Sequence, residues 1–338
     1  MMERELYQRY MNRQIKRDLI DSDGTLLLKK GSILTESILS KLKVGIEKIE
    51  MVTQNSSTRQ GYQRLITGTT NEIRDIFRKI QSNKQEINQI ELSILPTVEE
   101  LAQEQKLSIL LEGILGKDDY TYRHNIGVAI LSSMLARWLR FSEGEIQFIT
   151  LGGLLHDVGK LYIDDYILTK PGKLTTEEYE AIKEHALFGY QILCNHSMYS
   201  KEICLMALEH HEREDGSGYP DQKTADEIHR YSKIIAIADV FHAMTSDRVY
   251  RKGMALYDVL RQMKEEAFGK LEPTYVSTFI QKLMELSIGN KAILSNGRVA
   301  EVVFIFADEP FNPLVRLDQE LVDLRKSEWH IQQLLSID

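Results

Sequence analysis

From Asp118 to about Ser287 apolar residues recur at three- and four-residue spacing, the period of helices that bury one face. Ser142 with Glu145 reads as a capping box for a helix carrying Ile146, Ile149, Leu154, Leu155 and Val158, which Gly159 then stops. Thr175 with Glu178 opens another, with Tyr179, Ile182, Ala186 and Leu193 along one stripe. Upstream, Ile73, Ile80, Ile87 and Ile94 repeat at heptad spacing, with Ile76 and Ile90 three positions after two of them. This seam, interrupted by Asn83, fits a homodimerising coiled coil over residues 71–94 or an amphipathic helix folded onto its own domain. Pro96 ends the seam, and Thr97 with Glu100 offers a capping box for a helix running to about Gly116.

The two ends of the chain read differently. Residues 14–52 suggest a small α/β unit: turn chemistry at Asp21-Ser22-Asp23-Gly24, apolar Leu26 to Leu28, a helix entered at Thr35, and a strand over 46–52. Val52 to Thr70 is rich in Gln, Ser and Thr and reads as a linker. Strand signals return at Ala292 to Leu294, Val299 to Phe306, Leu314 to Leu317 and Leu321 to Leu324, with an Asn296-Gly297 hairpin turn. The expected architecture is mainly α: a helical bundle over 118–288, with an α/β unit and linker at 1–69, linker helices at 70–117, and a small β unit at 289–338.

Composition narrows the classes. With 43% apolar and 27% charged residues, the 338-residue chain is expected to pack rather than stay disordered. No stretch approaches the ~18 uncharged apolar residues of a membrane span, and the start, Met1-Met2-Glu3-Arg4-Glu5-Leu6, lacks the apolar core of a signal peptide. Two cysteines, Cys194 and Cys204, give no disulfide framework, so a cytoplasmic location is expected. A net charge of −8 argues against broad affinity for nucleic acid or anionic lipid. A local cluster of cations can still bind a small anion.

The chemistry lies in the histidines. Of nine, the candidates are His124, His156, His185, His210 and His211 in the helical middle region, together with Asp157 and Asp239. Asp239 interrupts the run Ile234 to Phe241, where an ionised carboxylate is costly to bury without a compensating cation. His156 and Asp157 end an apolar helix after Gly152 and Gly153, which allow close approach of another helix. Helical bundles hold metals with imidazoles and carboxylates converging in this way. A single histidine on a helical stripe is usually a packed or surface residue, the first reading for His196, His229, His242 and His330. The adjacent pairs His156-Asp157 and His210-His211 are harder to explain by packing. Seven donors exceed one four- to six-coordinate site, so two divalent ions are expected, and imidazole with carboxylate suits iron, manganese or zinc.

His156-Asp157-Val158-Gly159-Lys160, followed by His210-His211-Glu212-Arg213-Glu214-Asp215-Gly216-Ser217-Gly218-Tyr219-Pro220, resembles the HD-GYP family of cyclic di-GMP phosphodiesterases. The likeness extends through Tyr120 to His124, Lys170-Pro171-Gly172, His185 and Asp239 to Arg248, about half the chain. The resemblance implies an HD-type helical bundle in which His124, His156, Asp157 and Asp239 hold one metal. His185, His210 and His211 would hold a second, with Asp157 bridging and iron or manganese as the leading ions. Some members place a glutamate for a third metal where Tyr120 stands here, so two metals are expected. Asp157 and Lys160 would act in catalysis, a hydroxide held between the ions attacking the phosphodiester to give linear pGpG, with continuation to GMP left open. Lys160, Arg248 and Arg251 would meet phosphate. Tyr219, Asp215 and Gly218 would form a ligand-facing loop, against the plainer alternative of a turn with a capping aspartate.

Two departures stand out. Relatives commonly carry an aspartate where His242 stands and a proline where Val249 stands. The implied partners are cyclic di-GMP, a second copy of the chain and GGDEF-type signalling proteins. The competing readings are a cyclic dinucleotide sensor with little turnover, and an HD phosphohydrolase for another nucleotide such as a mixed GMP–AMP cyclic dinucleotide.

Overall fold

The computed structural model describes residues 19–20, 26–28, 59–81, 90–116, 120–195, 199–246 and 253–335. The expected helix at Thr35, the strand over 46–52, and Asn83, Ile87, Arg248 and Arg251 lie outside the described residues. The chain divides into two compact units, Met1–Leu65 and Ile66–Asp338. In the first, the backbone of β1 (Leu19–Ile20) pairs antiparallel with β2 (Leu26–Leu28).

The second unit is mainly helical and ends in a sheet. Helix α1 (Arg59–Gln81) spans the boundary between the units. Within the second unit its Ile73, Ile76 and Phe77 are buried, and the Phe77 ring meets Tyr122 edge-on at 5.8 Å. The first half of the heptad seam therefore faces this chain's own core, as the folded-back alternative expects at those positions. Pro96 behaves differently from its sequence reading. A π-helical turn, Ile90–Ile94, runs directly into α2 (Leu95–Leu101), with Pro96 inside the first turn and no side chain capping it. Proline is accepted there because a first-turn N–H has no intrahelical acceptor to lose. The helix expected to run to Gly116 instead breaks after Leu101 and resumes as α3 (Leu107–Ile114).

The bundle follows: α4 (Tyr120–Trp138), α5 (Glu143–Leu155), a 3₁₀ turn (Val158–Tyr162), α6 (Asp165–Leu168), α7 (Thr176–Cys194), α8 (Lys201–Glu209), α9 (Arg230–Thr245), α10 (Leu256–Glu266) and α11 (Pro273–Glu285). Two of the three expected capping boxes form, Ser142 with Glu145 on α5 and Thr175 with Glu178 on α7, whereas Thr97 lies inside α2 and caps nothing. Helix α9 is the axis of the core, since Ile234, Ile235, Ile237, Ala238 and Phe241 are all buried. At about 1.5–3 kcal/mol for each large side chain, that burial anchors α9 strongly enough to hold a carboxylate within it. Gly153 lets α5 lie close to α4, where a β-carbon would come within 2.7 Å of the Ala129 α-carbon.

Glu145 does more than cap α5. Its carboxylate accepts from Ser142 N at 2.9 Å and Tyr231 Oη at 3.0 Å, and pairs with Arg230 on α9. The Ser142 side chain, Ser142 backbone and Tyr231 hydrogen bonds lower its pKa from 4.5 to about 2. A depressed carboxylate pKa stabilises the fold above the unfolded value, and that share is lost as pH falls toward the folded value. Glu145→Gln should therefore lower the urea midpoint at about pH 6, and the gap should narrow by about pH 3 and close only as pH falls through about 2. An equal gap at both pH values would show that the carboxylate charge contributes nothing.

The closing sheet has order β6-β5-β4-β3-β7 and is antiparallel throughout, with β3 (Lys291–Leu294), β4 (Val299–Phe304), β5 (Leu314–Leu317), β6 (Glu320–Asp323) and β7 (Ile331–Leu334). The Asn296-Gly297 turn joins β3 to β4, with Gly297 at φ 81°. Strand β7 has only two apolar residues in Ile-Gln-Gln-Leu, and pairing with β3 supplies what its own pattern does not. No described helix is long and apolar enough to cross a membrane.

Candidate metal centre

The seven donors expected from the sequence meet in one place. His124 comes from the second turn of α4 and Asp239 from the middle of α9. His185 sits within α7, while His156 and His210 occupy the C-caps of α5 and α8. Two helix C-termini thus aim their partial negative charge at the cluster, which favours a cation. Gly159 makes the assembly possible. A β-carbon there would overlap the carbonyl of His185, so only glycine lets the turn after Asp157 lie against α7. The sequence reading of Gly159 as a helix stop missed this close approach.

Asp157 stands between two groups of imidazoles. Its Oδ2 lies 3.6 Å from His124 Nε2 and 3.4 Å from His156 Nε2. Its Oδ1 lies 3.4 Å from His185 Nε2 and 3.9 Å from His210 Nε2. Asp239 extends both sides, with Oδ1 3.1 Å from His124 Nε2 and Oδ2 3.8 Å from His211 Nδ1. Two clusters able to hold a metal result: His124, His156 and Asp157, and His185, His210 and His211.

The backbone fixes which nitrogens face inward. His156 Nδ1 lies 2.8 Å from the Gly153 carbonyl, His185 Nδ1 2.6 Å from Ile182, and His210 Nδ1 2.9 Å from Ala207. A carbonyl only accepts, so each Nδ1 carries the hydrogen and, in the neutral ring, each Nε2 presents a lone pair. His185 and His210 direct these lone pairs at each other across 3.2 Å. Among the described residues, His156 Nε2 and Asp157 Oδ1 are buried without a hydrogen-bond partner. Such an arrangement is costly unless a cation is shared between the donors, and the residues fit divalent ions.

Ionisation favours the same use. Burial lowers the pKa of His185 to about 4 and pushes His210 and His211 well below the usual imidazole range. Burial also lowers His124 despite the opposing Asp239. At His156 burial is outweighed by Asp157, which raises the pKa. Burial works against ionised Asp157, but Lys160 and His156 hold it well below the carboxylate range. His124 does the same for Asp239. Near neutral pH the set is one of ionised carboxylates and largely neutral imidazoles, the forms that bind metal.

The remaining expected residues fall around this cluster. Lys160 pairs with Asp157 Oδ2 at the margin, its side chain 25% exposed. The Tyr219 ring stacks on His211 at 4.7 Å, and Lys183 lies over that same ring at 5.6 Å. Asp215 is exposed and accepts from Ser217 N and Oγ, the geometry of the plainer turn alternative. Gly218 turns inward, where a β-carbon would overlap the backbone of Glu212 and Arg213. Tyr120 begins α4, with its side chain outside the described residues.

Three residues that the sequence reading passed over support the site. Glu209, 1% exposed, accepts from Lys223 Nζ at 2.7 Å, His229 N at 2.9 Å and Ser232 Oγ at 2.8 Å. Glu212 accepts from the backbone N–H groups of Asp221 and Lys223, closing the loop that carries Tyr219. Leu-Glu-His-His-Glu resembles any charged helix end, so neither role had a local signal. His242, assigned to packing, places Nδ1 3.1 Å from His124 Nδ1.

Comparison with known proteins agrees with this geometry. The HD domain family matches residues 117–274. Cyclic di-GMP phosphodiesterase PA4108 of Pseudomonas aeruginosa is 33% identical over 62% of this chain and 53% of its own. The cyclic di-GMP phosphodiesterase of Thermotoga maritima is 39% identical over 51% of this chain and 47% of its own. The 3′3′-cGAMP-specific phosphodiesterase 3 of Vibrio cholerae is 38% identical over 46% of this chain and 34% of its own. The chain thus spans about half or less of the length of these curated relatives. Residues 117–274, which carry the His156-Asp157 pair and both clusters, therefore match the HD domain family, and over this region the chain is similar to curated cyclic dinucleotide phosphodiesterases.

Proposed function

We propose that this chain is a metal-dependent phosphodiesterase that hydrolyses cyclic di-GMP to pGpG and then GMP. The observation that carries the proposal is Asp157, whose two oxygens each face a separate group of imidazoles. His124, His156, Asp157 and Asp239 would hold one ion and His185, His210 and His211 the other, with Asp157 shared. Iron or manganese suits this imidazole-rich set. When bound, a pair of divalent ions supplies Lewis acidity that activates water near neutral pH and orients a phosphodiester for in-line displacement.

The protein's own groups complete the chemistry. Lys160 stands where its ammonium can neutralise charge growing on the phosphoryl oxygens. Tyr219, held flat on His211, offers its ring as a platform for a guanine. Arg248 and Arg251 follow α9 in the sequence and would add phosphate contacts. The buried surround of Asp157 and Asp239 excludes water from the two carboxylates and so strengthens their attraction for a cation.

A second reading has its own support, because one relative is named for 3′3′-cGAMP. The same metal chemistry serves either cyclic dinucleotide, and the residues around the bases would choose. Protein purified anaerobically and analysed for metal should be incubated separately with cyclic di-GMP and 3′3′-cGAMP, and the products identified. Linear pGpG from cyclic di-GMP, at a rate exceeding the cGAMP reaction, supports the proposal. A faster cGAMP reaction favours the second reading, and binding without product makes the chain a sensor.

A further inference from the structure

His242 lies one turn beyond Asp239 on α9 and is 1% exposed. Its Nε2 is 3.1 Å from the carbonyl oxygen of Ile114 at the end of α3. Its Nδ1 is 3.1 Å from His124 Nδ1 and 3.1 Å from Ser246 Oγ. A carbonyl can only accept, so Nε2 of His242 carries a hydrogen and donates it to Ile114. In the neutral ring Nδ1 is then an acceptor, and the facing Nδ1 of His124 must be the donor. The Ser246 hydroxyl rotates freely and is compatible with the same acceptor.

This ordering fixes His124. With its hydrogen on Nδ1, His124 presents a bare Nε2, the nitrogen lying between Asp239 and Asp157. We propose that His242 is a positioning residue that sets the tautomer and ring orientation of His124, so that its Nε2 lone pair faces the metal site. The fold makes room for it specifically. Gly127, three residues after His124 on α4, lies against the His242 ring, and a β-carbon there would overlap that ring. His242 thus offers Nδ1 as an acceptor to His124 while its Nε2 donates to a helix-end carbonyl. The inference rests on the reading of His124 as a metal ligand.

The test uses the full chain loaded with zinc, which is diamagnetic and accepts the same donors. Long-range ¹H–¹⁵N spectra should show His124 protonated at Nδ1 and His242 at Nε2. Zinc affinity, read by chelator competition, should separate two amide variants. His242→Asn places an amide oxygen near the position of Nδ1 and should retain affinity within about threefold. His242→Gln keeps a donor toward Ile114 but leaves the Nδ1 position empty, and should weaken binding ~10–100-fold. A packing role alone would penalise the smaller asparagine more, so equal losses or the reverse order overturn the inference, as does His124 protonated at Nε2 in the zinc-loaded protein. His124→Ala serves as the reference. If it loses zinc while both His242 variants bind normally, only the inference fails, whereas full zinc content in His124→Ala removes the metal-site reading beneath it.

Discussion

Asp157→Asn is expected to abolish hydrolysis, lowering turnover by about 10³-fold or more, while the helical circular dichroism persists. The substitution keeps the shape of the side chain and removes its charge. Because Oδ2 serves His124 and His156 while Oδ1 serves His185 and His210, both clusters lose an anionic donor at once. Metal content should fall along with activity. His156→Ala should also abolish hydrolysis, but it removes a donor from one cluster only, so more metal should remain. The measurements are turnover of cyclic di-GMP and metal per chain by elemental analysis. Unchanged turnover or full metal content in Asp157→Asn would end the assignment of a shared carboxylate. Folding should survive, since the lone pairs and carboxylates gathered here do not pack the bundle.

The second large effect is structural. Glu209→Ala should destabilise the protein by about 1–3 kcal/mol, the usual cost of leaving buried donors without their acceptor. The carboxylate is 1% exposed and joins three partners: the Lys223 ammonium, the His229 backbone N–H and the Ser232 hydroxyl. Removing it leaves the His229 N–H and the Ser232 hydroxyl without their acceptor, while Lys223, 24% exposed, keeps Asp221 at 3.7 Å. His229 and Ser232 begin α9, so Glu209 ties the end of α8 to the helix that carries Asp239. Urea unfolding measures the loss, and metal affinity should drop too because His210 and His211 follow Glu209 directly. A change below about 1 kcal/mol would show that solvent replaces the lost partner.

Much of the fold could be read before any coordinates. Ser142 with Glu145 and Thr175 with Glu178 announce helix starts because a cap satisfies N–H groups within four residues. Asn296-Gly297 marks a hairpin because the turn demands positive φ. These signals are local, and the structure forms each of them. Pro96 was read as a stop, but it stands inside a first turn, which sequence alone does not distinguish from a break. Strand β7 was not visible, since its pairing with β3 comes from residues about forty positions earlier.

The candidate site divides in the same way. His124, His156, Asp157, His185, His210, His211 and Asp239 were named from their chemistry, and the structure gathers them. Asp215 and Gly218, expected to face a ligand, take part in the loop itself, where Asp215 accepts from Ser217 and Gly218 lies against the backbone of Glu212 and Arg213. Glu209 gave no signal, and Glu212 and His242, though quoted within or against the family pattern, had no role assigned, because each matters through a partner that local pattern does not predict.

The sequence by itself determined the donor set and the helical faces that carry it, because residue type and spacing are properties of a short stretch of chain. Only the tertiary structure decided which oxygen of Asp157 meets which imidazoles, which ring nitrogens turn inward, and that a histidine 118 residues away meets His124. Tautomer, orientation and ionisation follow from the nearest acceptor and the local dielectric, and folding alone brings those together.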